Sequence, residues 1–176
     1  MKKNPFKIDV VSVRLVKDAP IYSEHSLETP TDVVRLLGQE MCEFDREVVC
    51  VIHLNTKNQP INCTYVSVGA LDHCLVTPRE MLKAAILSNA GGIIMLHNHP
   101  SGRLQPSRHD IEITDQMIQV CRMVGINLLD HIIVGGDNTE YFSFLAKDKL
   151  QYPERKYTTD YHELKFAEPS AERSAR

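Results

Sequence analysis

The sequence lacks the features that would place the protein in a membrane or outside the cell. No apolar run approaches the roughly 18 residues that a bilayer-spanning helix needs. The basic residues 1–7 are not followed by the apolar segment of a signal peptide. The five cysteines are odd in number and include no C-x-x-C pair, which predicts buried, reduced thiols. We therefore expect a cytoplasmic protein.

An excess of positive charge is also missing. The formal net charge is -3, so the chain has no general basic field that would attract a phosphate backbone. Nucleic acid is therefore not the expected main partner. The 176 residues, of which 43% are hydrophobic and 24% charged, are typical of one globular domain with a single core. Residues 151–176 are polar and predict a flexible tail, which leaves 1–150 as the domain.

Helical and strand patterns alternate along residues 1–150, and together they predict an α/β fold in which helices flank a mixed β-sheet. Each element is bounded by proline, glycine or another turn-forming residue. The predicted elements are, in order, a strand over 8–16, a helix over 30–41, a hairpin of strands over 47–54 and 61–68, a helix over 78–90, a buried strand over 93–96, a helix from 107 to 124, and strands over 128–134 and 141–144.

Residues 97–110 contain a set of three metal-ligand side chains, those of His97, His99 and Asp110, together with the hydroxyl of Ser107. His97 and His99 are two residues apart at the end of the buried strand, so their side chains face the same way. The turn at 100–102 can bring Asp110, in the first turn of the next helix, back over the strand end. Two imidazoles and one carboxylate are typical of a catalytic zinc site whose fourth position is open to water.

Zinc at such a site lowers the pKa of its water to roughly 7 and polarises a carbonyl group. Hydrolysis then also needs a carboxylate that moves the water's proton to the leaving amine. Ser107 could donate a hydrogen bond to the developing oxyanion. It could equally be the N-cap of the helix that begins there, and the two roles compete for the same hydroxyl.

The spacing of these residues resembles the JAMM motif of the JAB/MPN metalloproteases, an upstream glutamate followed by H-x-H-x7-S-x2-D. The similarity is greatest to the bacterial RadC-like branch and covers about residues 36–150. It is carried by Arg46-Glu47-Val48-Val49, Thr77-Pro78-Arg79-Glu80, His97-Asn98-His99-Pro100-Ser101-Gly102, Pro106-Ser107 and Asp130-His131-Ile132-Ile133-Val134-Gly135.

The resemblance implies a cytidine-deaminase-like α/β sandwich and zinc-dependent hydrolysis of a peptide or an isopeptide-linked protein. It implies that His97, His99 and Asp110 hold Zn²⁺ and that Ser107 assists the oxyanion. Its upstream glutamate, the general acid/base, maps to Glu47. Two other glutamates remain alternatives: Glu43, which fits a solvated helix end, and Glu80, which fits the first turn of a helix.

Other classes of protein share part of this pattern. The H-x-E and P-C-x-x-C elements of zinc deaminases are absent. Non-haem iron oxygenases also use two histidines and a carboxylate, but the JAMM spacing disfavours them. A non-catalytic protein-binding module and a DNA-repair-associated RadC-like accessory protein stay as alternatives. The sequence indicates no particular oligomeric state.

The remaining polar candidates are predicted to be structural. His109 adjoins Asp110 but points elsewhere on the helix, and we expect it to be exposed or to support the site from outside. Asp130 and His131 lie in an apolar strand and should be hydrogen-bonded. Asn98 points away from the two histidines and is predicted to brace the turn. No partner at metal spacing accompanies His53, His73 or Cys74.

Overall fold

A five-stranded mixed sheet forms the centre of the protein. The computed structural model describes residues 12, 14–18, 20, 27–68, 76–136 and 138–152. Within them the strands are β1 Val48–Leu54, β2 Pro60–Val68, β3 Gly92–His99, β4 Asn127–Gly135 and β5 Tyr141–Ser143. Their spatial order is β2-β1-β3-β4-β5, with β3 and β4 parallel and the other neighbours antiparallel. The predicted α/β class with a mixed sheet is confirmed.

Both faces of the sheet are covered, because β1 and β3 are buried along their whole length. Alternate side chains of each strand enter two separate hydrophobic clusters. Val49 and Met95 belong to one cluster, whereas Cys50 and Leu96 belong to the other. Unbroken apolar runs such as residues 93–96 are what a strand needs when helices pack on both of its sides.

One face is covered by α1, which combines an α-helical turn Pro30–Val33, a π-helical turn Val34–Gly38 and a second α-helical turn Gln39–Cys42. It begins with a capping box in which Thr29 and Asp32 exchange hydrogen bonds. Its apolar side chains pack in the cluster that contains Cys50 and Leu96.

The other face is covered by α2, Pro78–Leu87, and α3, Arg108–Val124. Helix α3 ends at Gly125, whose φ of 77° is readily adopted only by glycine. The prediction that the second helix continues to residue 90 is wrong. It ends at Leu87, because Ser88 Oγ donates to the Ala84 carbonyl at 2.7 Å and Asn89 turns the chain with a φ of 51°.

The hairpin, the central strand, α3 and the last two strands all lie where the sequence predicts them. The predicted strand over 8–16 falls mostly outside the described residues, and its described positions 12 and 14–16 carry no strand. The predicted tail lies outside them from residue 153 onward. Among the described cysteines, Cys50, Cys63 and Cys121 are free thiols, while Cys74 is not described. No helix in the described ranges is long and apolar enough to cross a membrane.

Candidate metal centre

Three elements bring the candidate site together at the carboxyl end of β3. His97 and His99 are among the last three residues of β3, and Asp110 lies in the first turn of α3. Strand β1 runs antiparallel to β3, with Val49 opposite His97. Its start therefore lies beside the end of β3, and this places Glu47, the residue before β1, next to the histidines.

The side chains of these four residues are in contact or nearly so. Asp110 Oδ1 lies 3.1 Å from His97 Nδ1, and Asp110 Oδ2 lies 3.4 Å from His99 Nε2. The other nitrogen of His97, Nε2, is 3.8 Å from Glu47 Oε2. Glu47, His97 and His99 can each offer one ligand atom such that all three atoms lie within 4.8 Å of one another. Glu47, His97 and His99 thus form a group that could hold a metal ion, and Asp110 contacts both of its histidines.

The hydrogen bonds of the two histidines fit a metal ion. His99 Nδ1 bonds to the Arg103 carbonyl at 2.5 Å, which places the proton on Nδ1 and leaves the Nε2 lone pair for an ion. His97 Nε2 is buried and has no hydrogen-bond partner among the residues that the structure describes. A buried nitrogen without a partner is unfavourable, and coordination of an ion would satisfy it. Imidazole nitrogens with carboxylate oxygens form a donor set that suits Zn²⁺.

The charges of the site are strongly coupled. Burial alone would raise the pKa of Asp110, but hydrogen bonds to His97 and His99 outweigh it and hold that pKa well below its usual value. Burial lowers the pKa of His97, but Asp110 and Glu47 outweigh this effect and raise it to about 8. Interaction with His97 lowers the pKa of Glu47. Both carboxylates are thus ionised at neutral pH, and a metal ion must displace the proton of His97.

Ser107 is the N-cap of α3. Its Oγ accepts a hydrogen bond from the Asp110 backbone N–H at 3.2 Å and donates to Asp110 Oδ2 at 2.6 Å, and its own backbone N–H donates to the same oxygen at 2.7 Å. The capping alternative is therefore what the structure contains. Because the single hydroxyl proton is directed at Asp110, an oxyanion role would require the hydroxyl to rotate toward the substrate.

Asn98 is a positioning residue that the sequence analysis missed. It does not brace the turn, so that prediction is wrong. Its Nδ2 donates to the Arg46 carbonyl at 3.0 Å, and its Oδ1 accepts from the Val48 backbone N–H at 2.6 Å. These two peptide groups flank Glu47, so Asn98 ties the glutamate to the strand that carries the histidines. A buried asparagine must find such partners, but the sequence does not say which ones.

The other predicted residues lie around the site or away from it. His131 Nδ1 bonds to Thr114 Oγ1 at 2.6 Å, and its ring stacks on Phe144. Asp130 accepts hydrogen bonds from Ser143 Oγ at 2.6 Å and from the Leu145 backbone N–H at 2.9 Å. The expectation that both are hydrogen-bonded is confirmed. His109 is exposed, as predicted. His53 is buried and hydrogen-bonded to Asn62, which fits the predicted structural role, and His73 lies outside the described residues.

The structure also separates the three glutamates. Glu43 is exposed at the end of α1. Glu80 is exposed in the first turn of α2, where Lys83 Nζ lies 2.6 Å from its carboxylate. Only Glu47 of these three contributes to the group of potential metal ligands in the described part of the chain.

Comparison with known proteins agrees with this site. A family model described as the RadC-like JAB domain matches residues 27–150. A UPF0758 protein of Rubrobacter xylanophilus is 45% identical over 109 residues, which are 62% of this chain and 48% of the relative. One from Halalkalibacterium halodurans is 45% identical over 126 residues, 72% and 53% of the two chains, and one from Methanosarcina mazei is 39% identical over 112 residues, 64% and 49%.

The matched segment contains Glu47, His97, His99, Ser107 and Asp110. The chain spans about half the length of the curated relatives that it matches. The names of these relatives state no activity. Because the family model matches residues 27–150, and because the α/β fold and the possible metal site agree with that match, the chain belongs to the RadC-like JAB domain family.

Proposed function

We propose that this domain is a zinc-dependent hydrolase that cleaves a peptide or isopeptide bond in a protein substrate. The observation that carries the proposal is the convergence of Glu47, His97 and His99, with ligand atoms within 4.8 Å of one another, on an Asp110 carboxylate that contacts both rings. Membership of the RadC-like JAB family supports it, because the JAB/MPN superfamily is typically hydrolytic.

In this proposal His97, His99 and Asp110 hold the zinc ion. When bound, zinc supplies a water whose pKa is lowered to roughly 7 and a Lewis acid that polarises the scissile carbonyl. The carboxylate of Glu47 would act as the general base and then the general acid, carrying a proton from the attacking water to the leaving nitrogen. Its side chain is 17% exposed, so it is reachable from the cavity at the site.

The supporting residues keep this arrangement in place. The Arg103 carbonyl sets the tautomer of His99, and Asn98 fixes the backbone on both sides of Glu47. Ser107 orients Asp110 through Oδ2, and rotation of its hydroxyl would supply the proposed oxyanion hydrogen bond. Each of these contacts holds a reacting or metal-binding group in the geometry that hydrolysis needs.

The geometry allows two roles for Glu47, as base or as a metal ligand, and one experiment separates them. Zinc content and cleavage of a quenched fluorescent isopeptide-linked substrate are measured for the native chain, Glu47→Gln and His97→Ala. We expect Glu47→Gln to retain zinc but lose at least about a hundredfold in rate, as is typical for a general base. His97→Ala should lose both zinc and activity.

The same measurements can contradict the proposal. Full activity of the zinc-loaded Glu47→Gln variant would exclude Glu47 as the base. Loss of zinc from that variant would make Glu47 a ligand instead. A native chain that binds zinc but cleaves no peptide or isopeptide substrate would favour the non-catalytic module, and bound iron with oxygen-dependent turnover would exclude the hydrolase.

A further inference from the structure

A recess continues from the metal centre into the space between the sheet and the two helices α2 and α3. Its volume is about 270 Å³, and it is lined at the site by Glu47, His97 and Asp110. Met95 precedes His97 by two residues on β3, so both side chains lie on the same face of the sheet. The recess therefore begins beside the proposed zinc ligands and follows the strand away from them.

The walls beyond the ligands are apolar. They are formed by Val49 of β1, Met81 of α2, Met95 of β3 and Ile113 of α3, all of which are buried. Two of these are methionines, whose unbranched and polarisable side chains adapt to ligands of different shape. Aliphatic cavities of about 150 Å³ already bind benzene in other proteins, so this recess is large enough for a leucine, methionine or phenylalanine side chain.

His131 adds a single polar atom to this wall. Thr114 Oγ1 donates its proton to the Asp110 carbonyl, so His131 Nδ1 must carry the proton of the hydrogen bond that joins the ring to Thr114. His131 Nε2 is then an acceptor, and it is buried without a hydrogen-bond partner among the described residues. Such an atom can accept an N–H from a bound peptide, but it offers no charge to pair with an ionised side chain.

We propose that this recess is a substrate subsite that receives an uncharged, apolar side chain next to the scissile bond. The inference rests on the proposed function and specifies its substrate: a bond flanked by a residue of the size of leucine or methionine. Carboxylates line the recess only at the end where the zinc ligands lie. A lysine side chain inserted past them would place its ammonium group among Met81, Met95 and Ile113, where it loses its hydration without gaining a partner.

The test uses hydroxamates, which bind zinc directly and need no knowledge of the natural substrate. Dissociation constants of the zinc-loaded protein are measured by calorimetry for acetyl, butanoyl, pentanoyl and hexanoyl hydroxamates. We expect each added methylene to tighten binding about fourfold until the recess is full. The analogue 4-aminobutanoyl hydroxamate matches the pentanoyl compound in size but ends in an ammonium, and it should bind more than about tenfold more weakly.

Two substitutions on α3 provide a matched pair. Ile113→Phe adds volume to the wall of the recess, whereas Ile118→Phe makes the same change at an equally buried position that does not line it. We expect Ile113→Phe to remove most of the gain from a longer tail while the acetyl compound still binds normally. Ile118→Phe should keep the full dependence on tail length. If Ile113→Phe does not fold, the tail series on the native protein decides the question alone.

The outcomes separate this inference from the proposed function. Normal binding of acetohydroxamate with no gain from longer tails would overturn the apolar subsite and leave the zinc site standing. Equal or tighter binding of the ammonium-tailed compound would also overturn it. A chain that takes up no zinc would overturn the proposed function and the subsite together.

Discussion

The two hydrogen bonds from Asn98 to the backbone on either side of Glu47 form a clamp that holds this glutamate beside the histidines. Replacement of Asn98 by leucine tests how much this clamp contributes to stability and to catalysis. The change removes two hydrogen bonds, of 2.6 and 3.0 Å, and leaves the Val48 N–H and the Arg46 carbonyl without their side-chain partner. A hydrogen bond contributes about 1 kcal/mol net, and an unsatisfied buried group costs about 1–3 kcal/mol. We therefore expect Asn98→Leu to lower the free energy of unfolding by about 2–4 kcal/mol, a loss that an ordinary domain survives.

The same change should act on catalysis through Glu47. His97 and His99 lie on the face of β3 opposite to Asn98, so the affinity for zinc should fall by less than about tenfold. The kcat should fall by a much larger factor than KM rises. Urea unfolding, zinc titration and steady-state kinetics measure these three quantities.

The control is Gln119→Leu, which removes a hydrogen bond from Gln119 Nε2 to Asp115 Oδ2 of 2.8 Å between two exposed side chains on α3. It should leave kcat unchanged and lower the free energy of unfolding by less than about 1 kcal/mol. If Asn98→Leu were as stable and as active as the native chain, the clamp would have no role in positioning Glu47, and that reasoning would be refuted.

Three further predictions concern the cap, the metal and acid. Ser107→Ala should cost about 1 kcal/mol of stability by removing the N-cap, whereas Ser107→Gly should cost only a few tenths; since glycine has no hydroxyl, full kcat in Ser107→Gly would exclude the oxyanion role. Zinc at a thousand times its Kd should raise the free energy of unfolding of chelator-treated protein by about 4 kcal/mol, and this gain should vanish in His99→Ala; an equal gain in that variant would place the metal elsewhere. Burial lowers the pKa of His131 to about 3, so below about pH 5.5, where His97 is protonated in both states, the unfolded chain binds a proton at His131 that the folded, metal-free chain does not, and stability should fall by roughly 1.4 kcal/mol per pH unit as the pH falls. His131→Phe should flatten that slope in urea titrations, and an unchanged slope would contradict the assignment.

Local patterns account for the parts of the fold and of the site that the sequence predicts. Period-two alternation puts His97 and His99 on one face of β3, and a serine followed three residues later by an aspartate predicts the start of α3. The order of strands and helices follows from apolar periodicity and from the position of proline and glycine. The end of α2 was misplaced because a serine hydroxyl and a left-handed asparagine stop that helix before the glycines do.

The choice among Glu43, Glu47 and Glu80 depends on contacts between elements about fifty residues apart. The sequence indicates which residue types a hydrolytic zinc site needs, and the family resemblance maps the upstream glutamate to Glu47. The antiparallel pairing of β1 with β3 brings Glu47 to His97, and the side chain of Asn98 bonds to the peptide groups on both sides of Glu47. The ligand motif can be read from the sequence because strand alternation and the first helical turn are local. The position of Glu47 beside the histidines and the apolar recess arise from tertiary packing, which no local pattern encodes.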